Sequence, residues 1–384
     1  MAGISRRGLM LGGLAAVTSQ GGSHGGVALA QSSSFAKTTP LSVADGKAVT
    51  DIANGFLRTH AVPGLSVAVA RQGQIVYAQG FGLADPATGE EVTTSKLFRI
   101  ASISKPFTAV ALFALIEKGR LRLEDKVFGA GGILGFDFGT RPYRRYVEDI
   151  TVEHLLTHTA GGWPNDASDP MFSNPGMNHS QLVAWTLDNV PLVNAPGTAY
   201  AYSNFGFCLL GRVIEKATHQ YYATMMRDLV FHPAGITQMR IGGNTLALRA
   251  PSEVVYGGPD GQPYSFNVTR MDSHGGWIAS ASDLVRFAAA VDGTYAPPLL
   301  QPASVATMMT PSRLNPNYAR GWSINGRNWW HSGSLPGTSS VMVRTPGGLC
   351  WAALANGRNS KTNSVAAIDR MMWDIVKAAK GFGG

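Results

Sequence analysis

Strand-like segments lie near both ends of this chain of 384 residues, and helical segments fill the long stretch between them. Apolar, β-branched runs bounded by turn residues predict two N-terminal strands, at residues 65–70 and 75–78. The same signals predict three C-terminal strands, at residues 329–332, 339–344 and 349–356. The sequence therefore predicts an α+β fold, in which one antiparallel sheet is built from both chain ends and flanked by helices.

Apolar residues at helical spacing predict the helices around this sheet. A first helix is predicted to begin near Ser42, because apolar residues recur at helical spacing over residues 49–56. Further helices are predicted at residues 152–158, 180–187, 205–217, 221–231, 281–291 and 364–377. We expect residues 42–120 and 270–384 to form the α/β part with the central sheet, and residues 121–269 to form an inserted, mainly helical region.

A long apolar helix is predicted to follow a strand-like segment at residues 98–100. Residues 106–116 are almost entirely apolar, and Gly119 is a typical signal for the end of a helix. Pro106 is tolerated in a first helical turn but not in a helix interior. The helix is therefore expected to begin close to Ser102.

The first thirty residues have the pattern of an export signal. A twin-arginine pair at residues 6–7 precedes a short apolar run at residues 8–17, and small residues follow at residues 28–30. The run is too short to span a bilayer as a mature helix. We expect residues 1–30 to be a twin-arginine signal peptide, residues 31–41 to be a linker, and the mature protein to be periplasmic or secreted without a stable membrane anchor.

Charge and cysteine content exclude several classes of function. The formal net charge is +8, but the 32 Lys and Arg residues are scattered, so no nucleic-acid partner is expected. No His, Cys, Asp or Glu set has the spacing of metal ligands, so neither a metal nor another cofactor is expected. Cys208 and Cys350 lie in apolar stretches and are predicted to be buried thiols, although a disulfide between them stays open.

Ser102 and Lys105 form a candidate nucleophile and base. A serine hydroxyl needs a proton acceptor, and residues three apart on a helix share a face, so the amine can lie against the hydroxyl. The spacing alone is weak evidence, because residues 34–37 of the predicted linker also match it. The start of an apolar helix distinguishes Ser102. The Gly-x-Ser-x-Gly pattern of α/β-hydrolases occurs only at residues 21–25, inside the predicted signal peptide, which disfavours that fold.

Two further motifs follow Ser102 in the chain. Tyr202-Ser203-Asn204 precedes another apolar helical stretch, where the tyrosine could relay protons and the Asn204 amide could hold a substrate carbonyl. An alternative is that Ser203 or Asn204 caps the helix and Tyr202 only packs.

The third motif is His331-Ser332-Gly333, which lies at the end of a predicted strand and is followed by Ser334. Glycine at position 333 would let a substrate approach the strand edge, and the Ser334 N–H could stabilise an oxyanion.

In this order, the three motifs resemble those of the serine β-lactamase and DD-peptidase superfamily, in the branch that contains class C β-lactamases, D-alanyl-D-alanine peptidases and related esterases. The resemblance covers nearly the whole predicted mature chain, including residues 62–67, 155–162 and 275–280. It implies a β-lactamase/transpeptidase-like fold.

The resemblance also implies roles for the motif residues. Ser102 would be the nucleophile, and Lys105 and Tyr202 would share the proton. Asn204 would bind substrate together with the strand that carries His331, Gly333 and Ser334. The backbone N–H groups of Ser102 and Ser334 would bind the oxyanion.

Two departures from the β-lactamases weaken a dedicated β-lactamase interpretation and leave acylation itself untouched. His331 stands where those enzymes usually carry lysine, as in some peptidases and esterases of the branch, and no glutamate is placed to activate water as in the class A enzymes. The sequence therefore predicts an exported serine hydrolase that cleaves small esters, amides or D-amino-acid peptides. A class C-like β-lactamase and a penicillin-binding sensor that acylates without turnover are the alternatives. The partner would be a small molecule or short peptide, and loops 161–177 and 257–267 would set the width of the pocket.

Overall fold

The structure is a computed structural model that describes residues 41–295 and 297–382. The predicted signal peptide at residues 1–30 and all but the last residue of the predicted linker at 31–41 lie outside the described residues. The two chance motif matches, at residues 21–25 and 34–37, also lie outside them.

Ten strands and ten α-helices make up the regular structure of the described residues. The strands are β1 (Gly64–Arg71), β2 (Gln74–Asp85), β3 (Glu90–Glu91), β4 (Phe98–Arg99), β5 (Arg240–Ile241), β6 (Trp277–Ala279), β7 (Ser323–Asn325), β8 (Asn328–Leu335), β9 (Thr338–Arg344) and β10 (Leu349–Ala355). The helices are α1 (Val43–His60), α2 (Ser104–Glu117), α3 (Val152–Leu156), α4 (Pro170–Ser173), α5 (His179–Asn189), α6 (Asn204–Thr218), α7 (Tyr222–Met226), α8 (Ala281–Asp292), α9 (Pro302–Met308) and α10 (Ser364–Ala378).

The main sheet joins the two ends of the described chain. Its strand order is β3-β2-β1-β10-β9-β8-β7, and all the pairings are antiparallel. The central pairing aligns N-terminal β1 with C-terminal β10, with Leu65 opposite Ala355 and Arg71 opposite Leu349. The predicted α+β fold with a sheet built from both chain ends is therefore confirmed.

Successive side chains of the central strands point to opposite faces of the sheet and enter two apolar clusters. Val67 and Val69 of β1 pack with the cluster that contains Ile368 of α10. Ala68 and Ala70 belong to the other cluster, which contains residues of α2, α6 and α8. Because both faces are covered, β1 is buried along nearly its whole length.

Helix α2 lies in the centre of this second cluster. Twelve of its fourteen residues are buried, including Ser104 and Lys105. Phe107 stacks on Phe287 of α8 with ring centroids 3.8 Å apart, and it meets Phe231 edge-on at 5.6 Å. A helix that is apolar on all sides needs such surroundings, which hold the start of α2 in a fixed position.

A short three-stranded sheet, with order β4-β6-β5, was not predicted. Strands of two or three residues are too short to show an alternating pattern. Phe98 and Arg99 of β4 pair with Ala279 and Ile278 of β6, immediately before the turn that carries Ser102. This pairing fixes the approach of the chain to the candidate site.

Most predicted elements of the described region are confirmed, whereas the boundaries of the two predicted parts stay predictions. Cys208 and Cys350 are buried free thiols, as expected, and burial raises the pKa of each to about 12. None of the helices described in the structure combines the length and the apolar character that crossing a membrane requires.

Candidate active site

Ser102 lies in a 3-10 turn, Ala101–Ile103, that leads directly into α2. The turn begins with an unusual backbone conformation, because Ala101 has a φ of 48°. Lys105 lies one helical turn further on, fully buried, and its Nζ is 3.3 Å from Ser102 Oγ. The structure thus brings together the predicted nucleophile and base.

The Lys105 amine is held by polar groups from two other segments. It donates to Asn204 Oδ1 at 2.7 Å and to the His274 carbonyl at 3.2 Å, and it lies 4.6 Å from the centre of the Tyr202 ring. Burial lowers the pKa of Lys105 to about 7, although the negative charge of Asp169 acts in the opposite direction. A large fraction of this lysine is therefore neutral at physiological pH.

Asn204 connects Lys105 to a buried carboxylate. Its Nδ2 donates to Asp169 Oδ2 at 2.8 Å and to Asn165 Oδ1 at 3.0 Å, so both amide hydrogens are engaged. This leaves Oδ1 facing the lysine. Ser203 caps α6 by accepting from the Gly206 N–H, as the alternative interpretation of this motif proposed. A direct contact between Asn204 and substrate stays a prediction, and it would require one of these hydrogen bonds to be exchanged.

Tyr202 stands beside the nucleophile. The Ser102 side chain beside its hydroxyl lowers the pKa of Tyr202, but burial outweighs this effect and raises that pKa above its ordinary value. The ring packs on His158, with centroids 4.3 Å apart, and meets Tyr318 edge-on at 5.9 Å. Tyr202 is therefore fixed in its neutral form, within reach of the Ser102 proton.

His331 is buried on β8 and fully hydrogen-bonded by neutral groups. Its Nδ1 donates to the Ser332 carbonyl at 2.7 Å, which leaves Nε2 to accept from the Tyr318 hydroxyl at 3.3 Å. Burial and the nearby Lys105 charge lower the pKa of His331 to about 3. The imidazole is neutral throughout the physiological range of pH.

Gly333 lets β8 approach the segment that precedes the nucleophile. A Cβ at this position would lie 2.1 Å from the Ile100 carbonyl oxygen and 2.3 Å from Ser340 Oγ. Ser340 Oγ itself donates to Ile100 O at 3.0 Å, which ties β9 to the same point. No side chain fits in this gap without moving the strand away from Ser102.

The Ser334 N–H lies at the end of the same strand. Leu335 and Thr338 flank a two-residue hairpin turn and form a hydrogen-bonded pair. Because hydrogen-bonded and non-hydrogen-bonded pairs alternate in an antiparallel sheet, the next pair, Ser334 and Ser339, exchanges no backbone hydrogen bonds. The Ser334 N–H is therefore directed away from β9. On that side, β7 pairs only with residues 328–330. This geometry leaves the Ser334 N–H available to a ligand.

An open cleft of about 390 Å³ lies over these groups. It is lined by Ser102, Asn165, Tyr200, Tyr202, Asn315, Asn317, Tyr318, Ser323, Trp330, His331, Ser332 and Ser334. Lys105 and Asn204 are buried behind the residues that line the cleft. Of the two loops expected to set the width of the pocket, 161–177 contributes Asn165, and no residue of 257–267 is among the lining residues.

Sequence reasoning missed Asp169, Asn165 and Tyr318. Asp169 is a loop residue, and its contact with Asn204 spans 35 positions. A weak signal existed for Tyr318, because it follows two asparagines and a proline shortly before β8, a composition typical of a binding loop.

The two other histidines near the site are buried. Nδ1 of His158 accepts from the Ser203 N–H at 3.1 Å, and the backbone carbonyl of His274 binds Lys105. Burial holds the pKa of both rings well below the ordinary value. Within residues 41–295 and 297–382, no three His, Cys, Asp or Glu side chains converge in a way that could hold a metal ion.

Comparisons with known proteins agree with this geometry. A sequence model of the Beta-lactamase family matches residues 49–371. The chain is 31% identical to Penicillin-binding protein 4* of Bacillus subtilis over 73% of its own length and 64% of that protein's length. It is 30% identical to Penicillin-binding protein 4 of Amycolatopsis lactamdurans over 78% and 83% of the two chains.

A further relative is an esterase, and a similar fold is found in an amidase. Esterase EstB of Burkholderia gladioli is 32% identical over 47% of each chain. The crystal structure of D-amino acid amidase from Ochrobactrum anthropi SV3 superposes with a TM-score of 0.72, covering 88% of this chain and 99% of that chain at 21% identity. At this identity the structural similarity concerns the fold alone.

Proposed function

Because this chain belongs to the β-lactamase family, within the superfamily of serine β-lactamases and DD-peptidases, we propose that it is a serine hydrolase that cleaves small esters or amides through an acyl-serine at Ser102. The observation that carries the proposal is the Lys105 amine, which has a pKa of about 7 and lies 3.3 Å from Ser102 Oγ. A neutral amine at this distance can accept the hydroxyl proton.

Acylation uses the groups on both sides of the nucleophile. As Lys105 accepts the Ser102 proton, Oγ attacks the substrate carbonyl carbon, and the carbonyl oxygen becomes an oxyanion. The N–H groups of Ser102 and Ser334 stabilise that charge. When the C–O or C–N bond breaks, Tyr202 donates its hydroxyl proton to the leaving group and regains a proton from Lys105. Lysine is the stronger candidate for the base, because burial lowers its pKa and raises that of Tyr202.

Deacylation reverses these proton movements with water as the nucleophile. Water attacks the ester carbon and gives one proton to the Lys105 and Tyr202 pair. The Ser102 oxygen leaves and receives that proton, and the acid product is released. The neutral amine is again the group that starts the step.

The substrate class rests on the relatives and on the third motif. The match to a protein named as an esterase supports an ester substrate, and the matches to two penicillin-binding proteins support acylation of a serine. His331 in place of lysine favours esters over β-lactams. Export by the twin-arginine segment at residues 1–30 is part of the proposal and rests on the sequence pattern.

One experiment tests the nucleophile and the substrate class together. The protein and its Ser102→Ala variant are incubated with a short p-nitrophenyl ester, a D-Ala-D-Ala peptide and a chromogenic cephalosporin. We expect turnover of the ester by the wild type and an acyl adduct on Ser102 in the mass spectrum, both lost in the variant. Full turnover by Ser102→Ala would falsify the assignment. Faster turnover of the cephalosporin would favour the β-lactamase alternative, and a stable adduct without turnover would favour the sensor.

A further inference from the structure

We propose that His158 positions the Tyr202 hydroxyl for proton transfer to the leaving group, through contacts with Tyr202 and with the residues on both sides of it. The inference rests on the proposed function and assigns a positioning residue to its acid step. His158 is only 1% exposed and lies behind the residues that line the cleft, so it acts through Tyr202 and not on the substrate.

His158 is hydrogen-bonded to the residues before and after Tyr202. Its backbone carbonyl accepts from the Ala201 N–H at 2.9 Å, and its ring Nδ1 accepts from the Ser203 N–H at 3.1 Å. Between these two bonds, the imidazole packs on the Tyr202 ring with centroids 4.3 Å apart. The backbone and the side chain of one residue therefore hold Tyr202 and its neighbours at three points.

The backbone conformation of His158 supports a role for its side chain. Helix α3 ends at Leu156, and His158 follows with a left-handed φ of 58°. Glycine is the usual residue in this conformation after a helix, because a Cβ is unfavourable there. A glycine would keep the carbonyl that binds Ala201 but would have neither the ring nor Nδ1. Strained residues of this kind concentrate at functional sites.

Burial keeps the His158 ring in the form that these contacts require. Nδ1 accepts from the Ser203 N–H only while it carries no proton, so the single ring proton is on Nε2. Burial, with the Lys105 charge acting in the same direction, holds the pKa of His158 well below its ordinary value. The hydrogen bond to Ser203 is therefore retained throughout the physiological range of pH.

The imidazole is itself fixed by neighbouring rings. It packs on Phe207 of α6 with centroids 5.1 Å apart and on Tyr318 at 4.7 Å. Removal of the imidazole leaves space into which Tyr202 can move. A displacement of about 1 Å is enough to slow a step that depends on exact placement by tenfold or more.

The leaving group of an ester separates this role from a general effect on folding. A p-nitrophenolate is stable enough to leave without a proton, whereas the alkoxide from p-nitrobenzyl acetate needs the proton of Tyr202. The p-nitrophenyl and p-nitrobenzyl acetates form the same acyl-enzyme, so their kcat/KM values compare acylation alone. The ratio of the benzyl value to the phenyl value, measured on one preparation, does not depend on the folded fraction.

Two variants of His158 are compared with the removal of the acid itself. His158→Ala removes both the ring and Nδ1, and we expect it to lower the ratio by about tenfold. His158→Asn provides an acceptor oxygen close to the position of Nδ1 and tolerates the left-handed backbone, so it should lower the ratio by only about threefold. Tyr202→Phe has no proton to donate and should lower the ratio by about 10²-fold.

His60 offers a matched control. It is a buried histidine of α1 that is hydrogen-bonded to Thr362 and packs on Phe56, whose side chain lies in the apolar cluster with Val67. His60→Ala therefore removes a similar set of contacts on the face of the main sheet opposite α2. We expect it to leave the ratio unchanged.

The possible failures are distinguishable. An unchanged ratio in the His158 variants, beside a lowered ratio in Tyr202→Phe, would overturn the positioning role and leave the acyl-serine mechanism intact. If His158→Ala does not fold, His158→Asn provides the same test. An unchanged ratio in Tyr202→Phe would contradict the acid role of Tyr202 and the inference with it. Absence of turnover with both esters, together with no adduct on Ser102, would instead contradict the proposed function.

Discussion

The two sides of the cleft, one with Lys105 and the other with His331, differ in the charge of the groups that surround the buried residue. On one wall, Lys105 is fully buried but linked through Asn204 to the carboxylate of Asp169. On the other wall, His331 is bonded only to a carbonyl and the hydroxyl of Tyr318. The first arrangement gives a lysine with a pKa of about 7, whereas the second gives a histidine with a pKa of about 3. Burial is the main cause of both decreases; the Lys105 charge adds to it at His331, whereas Asp169 opposes it at Lys105. The lysine stays titratable near neutral pH because its ordinary pKa of 10.5 is well above the 6.5 of histidine.

The largest effect is expected from removing the amine of Lys105, on the side of the cleft that contains Asp169. Lys105→Met keeps a side chain of similar length but has no proton acceptor, so kcat/KM for a p-nitrophenyl ester should fall by about 10³-fold. The melting temperature should fall, because Asn204 Oδ1 and the His274 carbonyl lose their buried donor, so activities are compared per folded protein. Lys118→Met makes the same change at the exposed end of α2 and is the control. A loss below tenfold in Lys105→Met would show that another group is the base.

A steric change at Gly333 tests whether the two walls must be held at a fixed distance. Gly333→Ala inserts a methyl group that would lie 2.1 Å from the Ile100 carbonyl oxygen, so β8 has to move. The Ser334 N–H moves with it, and kcat should fall by about 10²-fold. Gly347→Ala, in the turn between β9 and β10 where a Cβ meets nothing within 4 Å, should retain activity. Wild-type kcat in Gly333→Ala would contradict the oxyanion role of this strand.

The carboxylate behind Asn204 should control the pH dependence. The base must be neutral, so a plot of kcat/KM against pH should have a rising limb, with its midpoint near pH 7 where Lys105 titrates. Asp169 raises this pKa, and its replacement in Asp169→Asn should move the limb down by about one pH unit. At pH 6 the variant should then retain about fivefold more of its maximal kcat/KM than the wild type does. His158, His274 and His331, which also face Lys105, have pKa values well below this range.

Two variants separate charge from folding in that measurement. Asp166→Asn removes an exposed carboxylate from the same loop and should leave the limb in place. Asp169→Ser removes the charge but keeps an oxygen that can accept from the Met171 N–H at the start of α4. The position of a limb does not depend on the folded fraction, so reduced yield does not obscure the result. A limb that moves upward, or not at all, in both Asp169 variants would rule out the electrostatic role.

The long strands and helices were predicted from the sequence better than the short strands were. Strands β1, β8, β9 and β10 and helices α1, α2 and α10 have either a periodic apolar pattern or, as in β1 and α2, a continuous apolar run, with turn or helix-end signals beside them, and all are present. The small sheet of β4, β5 and β6 was missed, because two or three residues carry no periodicity and their pairing depends on tertiary contacts.

The contacts between candidate site residues that are close in the chain were predicted, whereas the contacts between distant segments were not, and the roles of these residues stay predictions. Ser102 and Lys105 are one helical turn apart, so local geometry determines their contact. The position of Asp169 behind Asn204, and of Tyr318 over His331, depends on how loops fold back over the helices. No local pattern encodes such contacts, and the resemblance to a family gave the motif residues only. The neutral state of His331 therefore emerges only from its surroundings.

The smallest effect is expected from removing the hydroxyl of Tyr318, on the side of the cleft that contains His331. Tyr318→Phe deletes the donor to His331 Nε2 and keeps the ring that packs on Tyr202. Losing one buried hydrogen bond should cost about 1 kcal/mol of unfolding free energy, measured by denaturant titration. Hydrolysis of a neutral ester should change by less than about threefold, because a group that only shapes the wall takes no part in proton transfer. Tyr221→Phe, at an exposed tyrosine, is the control. If Tyr318→Phe lost as much activity as Lys105→Met, the difference between the walls would disappear, and Tyr318 would belong to the proton pathway.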